Sequence, residues 1–313
     1  MAQPRFAFLD DQIVPWDDAT VHVSTGAFKY GASVFEGLRG YWNEQAKEMF
    51  VFRMDEHMDR FTFSQRFMRF DEVFSPDYVT EKTLELMRAN GFKGENVHIM
   101  TTAYLKGGAA PGVTGPVGLA ITALERPRIA KITSGVSAQV SSWVRVADNA
   151  MPMRVKCNAN YNNGRLASMQ AQADGYDTAI FLNSRGKVSE GPGMCFFIVR
   201  DGKAITPSTS NDILESITRT TVLQLLDELG IPTVERDVDR SEIVAADEAF
   251  FCGTAWEVTP VTMIDRLSVG DGSIGAITKR LQETYFDVCH GFSGAHAEWR
   301  MPVYGSAAVK AAE

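Results

Sequence analysis

Arg154-Val155-Lys156-Cys157-Asn158-Ala159-Asn160-Tyr161 opens the stretch on which the reading of this chain turns, and Lys187-Val188-Ser189-Glu190-Gly191-Pro192-Gly193 closes it. Between them, residues 164–174 carry Leu166, Met169 and Ala173 at helical spacing, with Gly175 as a stop, and residues 177–183 read as a strand. One lysine thus ends a short segment, and one glutamate stands on a glycine-flanked turn. The strand between them can bring the two together. Taken alone, such a pair is ordinary as surface charge. It is also what a pyridoxal-type aldehyde needs: an amine to condense with the aldehyde, and a carboxylate to keep the ring nitrogen protonated.

The chain has 313 residues, 45% of them hydrophobic and 22% charged, enough for one large domain or two moderate ones, each with its own core. A formal net charge of −8 without a basic run argues against nucleic acid or an anionic membrane as partner. No apolar run approaches the roughly 20 residues a membrane helix needs, and the N-terminus has no signal-peptide pattern. A cytoplasmic protein is expected. The four cysteines, at 157, 195, 252 and 289, have no zinc or redox spacing and read as buried free thiols; no metal site is expected.

Outward from the central stretch, residues 6–14 read as two short strands around a turn at Asp10-Asp11, and Ser24 or Thr25 as the cap of a brief helix. Ser33 to Tyr41 and Phe50 to Arg53 read as strands, with Asp55 capping the helix that carries Met58, Phe61 and Gln65. Pro76 to Asn90 is a helix stopped by Gly91. Val97 to Leu105 and Val117 to Ala123 are strands around the loop Gly107 to Gly112, which could border a pocket. Residues 124–134 are polar and broken by Pro127, the pattern of an interdomain linker. Val136 to Val144 and Met194 to Val199 are strands. A helix opens at Ile213 and runs to Leu229, with Ile217, Val222, Leu225, Leu226 and Leu229 facing the core. Free N–H groups at Ser216, Ile217 and Thr218 would make a phosphate cradle. Glu248 to Cys252 is a strand that leads into the turn Gly253-Thr254-Ala255, and Ile277, Leu281, Tyr285 and Val288 mark a last helix, ended by Gly291.

Lys156 to Tyr161 followed by Ser189-Glu190-Gly191-x-Gly193 resembles the core signature of the class IV aminotransferases. Tyr30-Gly31-Ala32-Ser33-Val34-Phe35-Glu36-Gly37-Leu38-Arg39 resembles a motif of their branched-chain amino acid members. The resemblance runs from about Phe6 to Gly291. It implies an α/β (α+β) fold of two domains, the fold type IV architecture, with pyridoxal 5′-phosphate in the cleft between them. The domains would be residues 1–123 and 135–291, joined by the linker 124–134 and followed by a tail 292–313 that could dock on the body. It also implies a homodimer whose partner contributes to the site. The activity implied is transamination between branched-chain amino acids and 2-oxo acids. Lys156 would be the catalytic amine, Glu190 the ring-nitrogen acid and Tyr161 the partner of the ring hydroxyl. Arg60, Ser216, Ile217, Thr218, Gly253 and Thr254 would hold the phosphate. Tyr30, Phe35, Arg39, Met100, Ala255 and Trp256 would line the substrate pocket.

Three departures stand against the family pattern. His98-Ile99-Met100 replaces the usual Tyr-x-Arg, so the arginine that would hold a second carboxylate, such as that of glutamate, is absent. Met194-Cys195 replaces Glu-Asn, and Glu215-Ser216 replaces Pro-Gly before Ile217-Thr218-Arg219. Glu215 should therefore point away from a phosphate. Met100 would also suit an (R)-selective amine transaminase, with a D-amino acid transaminase behind it. A non-catalytic protein that kept the fold is the remaining reading; it would bind no coloured cofactor.

Overall fold

The computed structural model describes residues 3–108, 110 and 112–305. Ala109 and Pro111 of the 107–112 loop, and the end of the tail, lie outside the described residues. The chain divides into two compact units. The first runs through Pro127, takes in Val155–Ala159 and takes up the chain again from Asp287; the second holds Arg128–Arg154 and Asn160–Phe286. Lys156 thus belongs to the first unit, where the sequence reading had put it in the second domain.

The first unit is built on a seven-stranded sheet. Its elements are β1 (Phe6–Leu9), β2 (Gln12–Pro15), α1 (Gly26–Tyr30), β3 (Ser33–Asn43), β4 (Glu48–Phe52), α2 (Met54–Phe67), α3 (Pro76–Asn90), β5 (Val97–Leu105), β6 (Val117–Glu125) and, from the tail, β15 (Arg300–Pro302), which pairs with β4. Thr25 caps α1 through its side chain, and Ser75 caps α3, which Gly91 ends in the left-handed conformation. α2 differs from the expectation. Its N-cap position is Arg53, at φ 55°, without a side-chain cap, and Asp55 lies inside the first turn. An acid there favours the helix through its dipole rather than by capping. Arg53 is held from outside the helix: its N–H donates to Trp299 O at 2.7 Å, and its guanidinium lies 4.3 Å from the Trp299 ring centre. The tail docks in this unit, with Trp299 buried.

The second unit carries an eight-stranded sheet: β7 (Val136–Val144), β8 (Thr178–Leu182), β9 (Cys195–Arg200), β10 (Lys203–Thr206), β11 (Thr233–Glu235), β12 (Glu248–Gly253), β13 (Glu257–Ile264) and β14 (Leu267–Ser268). The order is β11-β10-β9-β12-β13-β7-β8, with β14 on β13. Its helices are α4 (Tyr161–Ala173), α5 (Ile217–Glu228), α6 (Arg240–Val244) and α7 (Ala276–His290), the last few residues of α7 counting with the first unit. Phe196, Ile198, Phe251 and Val261 form the centre of its core.

Two helices depart from their expected form. α4 buries Gly164, Ala167 and Ala171 and leaves Leu166 and Met169 exposed. The cause is close approach: a Cβ at Gly164 would lie 2.4 Å from Pro192 O, so only small residues fit that face. α5 begins at Ile217 rather than Ile213, with Ser216 as its N-cap accepting from Arg219 N–H. Its buried side is Thr218, Thr221, Val222, Leu225 and Leu226, while Ile217 and Leu229 are half-buried.

Candidate active site

In the first unit, Lys156 is pinned by its own backbone. Its carbonyl accepts from Phe35 N–H at 2.9 Å, its N–H donates to Ser64 Oγ on α2 at 3.4 Å, and the adjacent Cys157 pairs with Val34 of β3. The Nζ lies 4.7 Å from the centre of the Phe35 ring. A cation over an aromatic face is attracted to it, so the ring both walls and orients the amine.

Phe35, Gly37 and Arg39 alternate along β3 and pair across to Thr102, Met100 and His98 of β5. The five residues of this set with side chains beyond glycine's give one sheet face a mainly uncharged lining. Arg39 is almost completely buried and donates to Arg126 O at 3.0 Å. His98 is pushed down to about 4, first by burial and then by the charges of Arg126, Arg39 and Lys156, and so is neutral at neutral pH. Tyr30, at the end of α1, is half exposed.

Glu36, on the other side of β3, faces α2. Arg60 grips it with a fork, Nε to Oε1 and Nη2 to Oε2, each at 2.7 Å, and His57 Nδ1 lies 2.7 Å from Oε2. Burial alone would raise the Glu36 carboxyl, but the charge and hydrogen bonds of Arg60 and the bond to His57 hold it at about 2. Burial pushes His57 below its ordinary value. A neutral His57 facing a carboxylate must carry its proton on Nδ1 and donate it. Glu56, the nearby acid that sequence proximity offers to Arg60, pairs with Arg53 instead, at 2.7 Å.

The second unit gathers the remaining candidates. Glu190 is buried, and its backbone is paired to Phe181 of β8. One carboxylate oxygen takes a hydrogen bond from Arg145 Nη2; the other accepts from Leu214 N–H at 3.3 Å and lies 3.8 Å from Cys195 Sγ. Gly253 ends β12 at a turn closed by Trp256 N–H to Gly253 O, at 3.1 Å. A Cβ on Gly253 would come within 3.2 Å of Met194 Cβ, so this turn sits against the 193–194 segment. Tyr161, Gly193, Met194 and Trp256 share the lining of a cleft of about 290 Å³. Thr254 and Ala255 form the turn itself and are half-buried. At the start of α5 the N–H groups of Ile217 and Thr218 have no intrahelical acceptor, as in any helix. Glu215, just before them, is turned aside into an ion pair with Arg154 at 2.7 Å.

Residues 33–264 match the family model for amino-transferase class IV. The chain belongs to the class IV aminotransferases. Among curated members of this family, a probable branched-chain-amino-acid aminotransferase of Aquifex aeolicus is 41% identical over 302 residues, 96% of this chain and 97% of that one. A crystal structure of the branched-chain amino acid aminotransferase of Thermobaculum terrenum in its PLP form matches with TM-score 0.90 and 42% identity, over 96% of this chain and 99% of that one. The branched-chain aminotransferase of Thermoproteus uzoniensis, solved with norvaline, matches with TM-score 0.91 and 39% identity, over 96% and 100%. The fold is accordingly the fold type IV aminotransferase architecture.

Four residues of these clusters carried no signal by themselves. Glu36 lay inside a quoted motif without a role. His57 and Ser64 share a helix face with Arg60 at spacings of three to four residues, which periodicity could have flagged. Arg145 had only its position after an apolar strand to mark it.

Proposed function

We propose that this chain is a pyridoxal 5′-phosphate-dependent transaminase that moves an amino group between branched-chain amino acids and 2-oxo acids. The observation that carries the reading is the fixed lysine: Lys156, in the family signature, has its backbone tied to β3 and α2 and its amine set on the Phe35 ring. The residues present suit the cofactor by type. They offer a buried carboxylate for a ring nitrogen, a capped helix start and a glycine turn for a phosphate, and an aromatic wall for the reacting end.

When bound, the cofactor supplies an aldehyde carbon for the amino group and a ring that takes up the electron pair left when the substrate Cα loses its proton. Lys156 Nζ anchors the cofactor and carries that Cα proton. Glu190 accepts the hydrogen bond from the ring N–H, and Tyr161 meets the ring hydroxyl. Arg60, Ser216, Ile217, Thr218, Gly253 and Thr254 hold the phosphate. Tyr30, Phe35, Arg39, Met100, Ala255 and Trp256 shape the substrate pocket, and Met100 gives it an apolar side that favours aliphatic side chains. Exposed Val23, Phe28 and Tyr30 on one short stretch support a homodimer, which sedimentation would show as twice the chain mass. Four buried free thiols suit a reducing, cytoplasmic setting. Among the described residues no helix is long and apolar enough to cross a membrane.

A donor panel tests the reading. Leucine, isoleucine and valine should turn over with 2-oxoglutarate, and Lys156→Ala should abolish both turnover and the visible absorbance of bound cofactor. Inert branched-chain donors alongside turnover of an aryl-alkyl amine would overturn the substrate. A colourless protein that cannot be reconstituted would overturn the chemistry.

A further inference from the structure

Arg145 belongs to none of the motifs read above, yet it is built against Glu190. Both side chains are nearly fully buried, at 6% and 3% exposure. The Arg145 N–H donates to Leu182 O at 2.9 Å, which ties it to β8, and its guanidinium lies 5.3 Å from the centre of the Phe181 ring. Only Nη2 is directed at Glu190, and Nε makes no hydrogen bond among the described residues. Arginine that braces a carboxylate structurally tends to use its two-bonded fork, as Arg60 does on Glu36. Here one guanidinium nitrogen holds one oxygen, and the second oxygen accepts from the Leu214 amide at 3.3 Å and lies 3.8 Å from the Cys195 thiol. A carboxylate has about four acceptor positions, more than a single guanidinium bond fills.

Burial without a cation would make Glu190 take up a proton. A protonated Glu190 would donate to a pyridine nitrogen instead of accepting from a pyridinium. The proton count of the pair is the same in both cases; what changes is which partner holds the proton. Only a ring that holds it is cationic and takes up the Cα electron pair well. We propose that Arg145 is a positioning residue that keeps Glu190 ionised and so places the shared proton on the cofactor ring. This rests on the proposed meeting of Glu190 with the ring nitrogen.

The test uses holoenzyme loaded with ring-¹⁵N pyridoxal phosphate and reads the ring-nitrogen resonance, together with the rate of the leucine half-reaction. Wild type should give a pyridinium resonance. Arg145→Gln should move it towards neutral pyridine and slow the half-reaction roughly tenfold or more, the scale on which orienting partners act. Arg145→Lys should restore both. An Arg145→Gln holoenzyme with the wild-type resonance overturns the inference. Glu190→Gln separates the two readings. If it moves the resonance and Arg145→Gln does not, only the role of Arg145 falls; if it moves nothing, the role of Glu190 falls with it. Should Arg145→Gln not fold, Arg145→Lys decides: a pyridinium resonance supports the role of the charge, and a neutral one overturns it.

Discussion

Glu36 and Glu190 are both buried carboxylates facing an arginine, one in each unit, and they are held in different ways. Glu36 is closed: the Arg60 fork occupies both oxygens and His57 adds a third bond. Glu190 meets its arginine through one bond instead of a fork, with Leu214 N–H and the Cys195 thiol near its other oxygen. A buried charge must be paired in either case. The fork takes both oxygens of the carboxylate that fixes neighbouring elements; the single bond leaves the arginine off one oxygen of the other. Glu36 joins β3 to α2, where Arg60 and the Lys156-binding Ser64 sit. Glu190 stands just before α5, where it accepts from Leu214 N–H.

The largest expected difference is in chemistry. At saturating cofactor, Glu190→Gln should lower kcat for leucine with 2-oxoglutarate by roughly 10²–10⁴-fold, the range of a positioned proton-transfer group. Glu36→Gln should lower it by less than about tenfold, because Glu36 acts only through the orientation of Arg60 and His57. Equal losses in steady-state assays would erase the distinction between the single bond and the fork.

In stability the two should lie closer together. Glutamine at either position leaves a buried guanidinium, Arg60 or Arg145, without its counter-ion. Breaking such a buried pair costs roughly 3–5 kcal/mol. Glutamine at 36 also loses the second bond of the fork, which adds about 1 kcal/mol. Urea unfolding of the two apo variants measures both; a larger loss at 190 would show that the fork is not what distinguishes the two sites.

The sequence made the elements legible where a local signal fixed them: the cap at Ser24 or Thr25, and the Pro76 start and Gly91 stop of α3. It failed where a distant group intervened. Arg60 meets Glu36, 24 positions away, and Arg145 meets Glu190, 45 away, separations that no window of helical or strand periodicity spans. The start of α5 was misplaced because Ile213 and Leu214 fit the helical pattern, while the Ser216 cap starts the helix at Ile217. α4 was misjudged because Leu and Met at helical spacing look like a core face. Pro192 leaves room there only for glycine and alanine. The lysine's segment reads as part of the second domain along the chain and returns to the first because β3 offers it a strand edge.

The smallest effect separates Glu36 from its titrating neighbours by acid. The Glu36 carboxyl is held at about 2, below its ordinary 4.5, so its stabilisation is complete above about pH 4.5 and is lost as pH falls towards 2. His98 is held at about 4, below its ordinary 6.5. Below about pH 6.5 the unfolded chain therefore binds this proton before the folded protein does. Stability falls with pH from there to about 4, and His98 contributes no slope above that window. Acid should accordingly weaken the first unit through its histidines, His98 and the likewise depressed His57, well before it reaches Glu36. Unfolding free energies measured between about pH 8 and pH 4 should be level at the top and decline below about 6.5. His98→Asn should remove about 3 kcal/mol of that decline by pH 4, leaving the share of His57. A variant profile that overlays the wild type would mean that His98 takes up its proton in the folded protein as readily as in the unfolded chain, and that burial beside Arg39 and Arg126 does not keep it neutral.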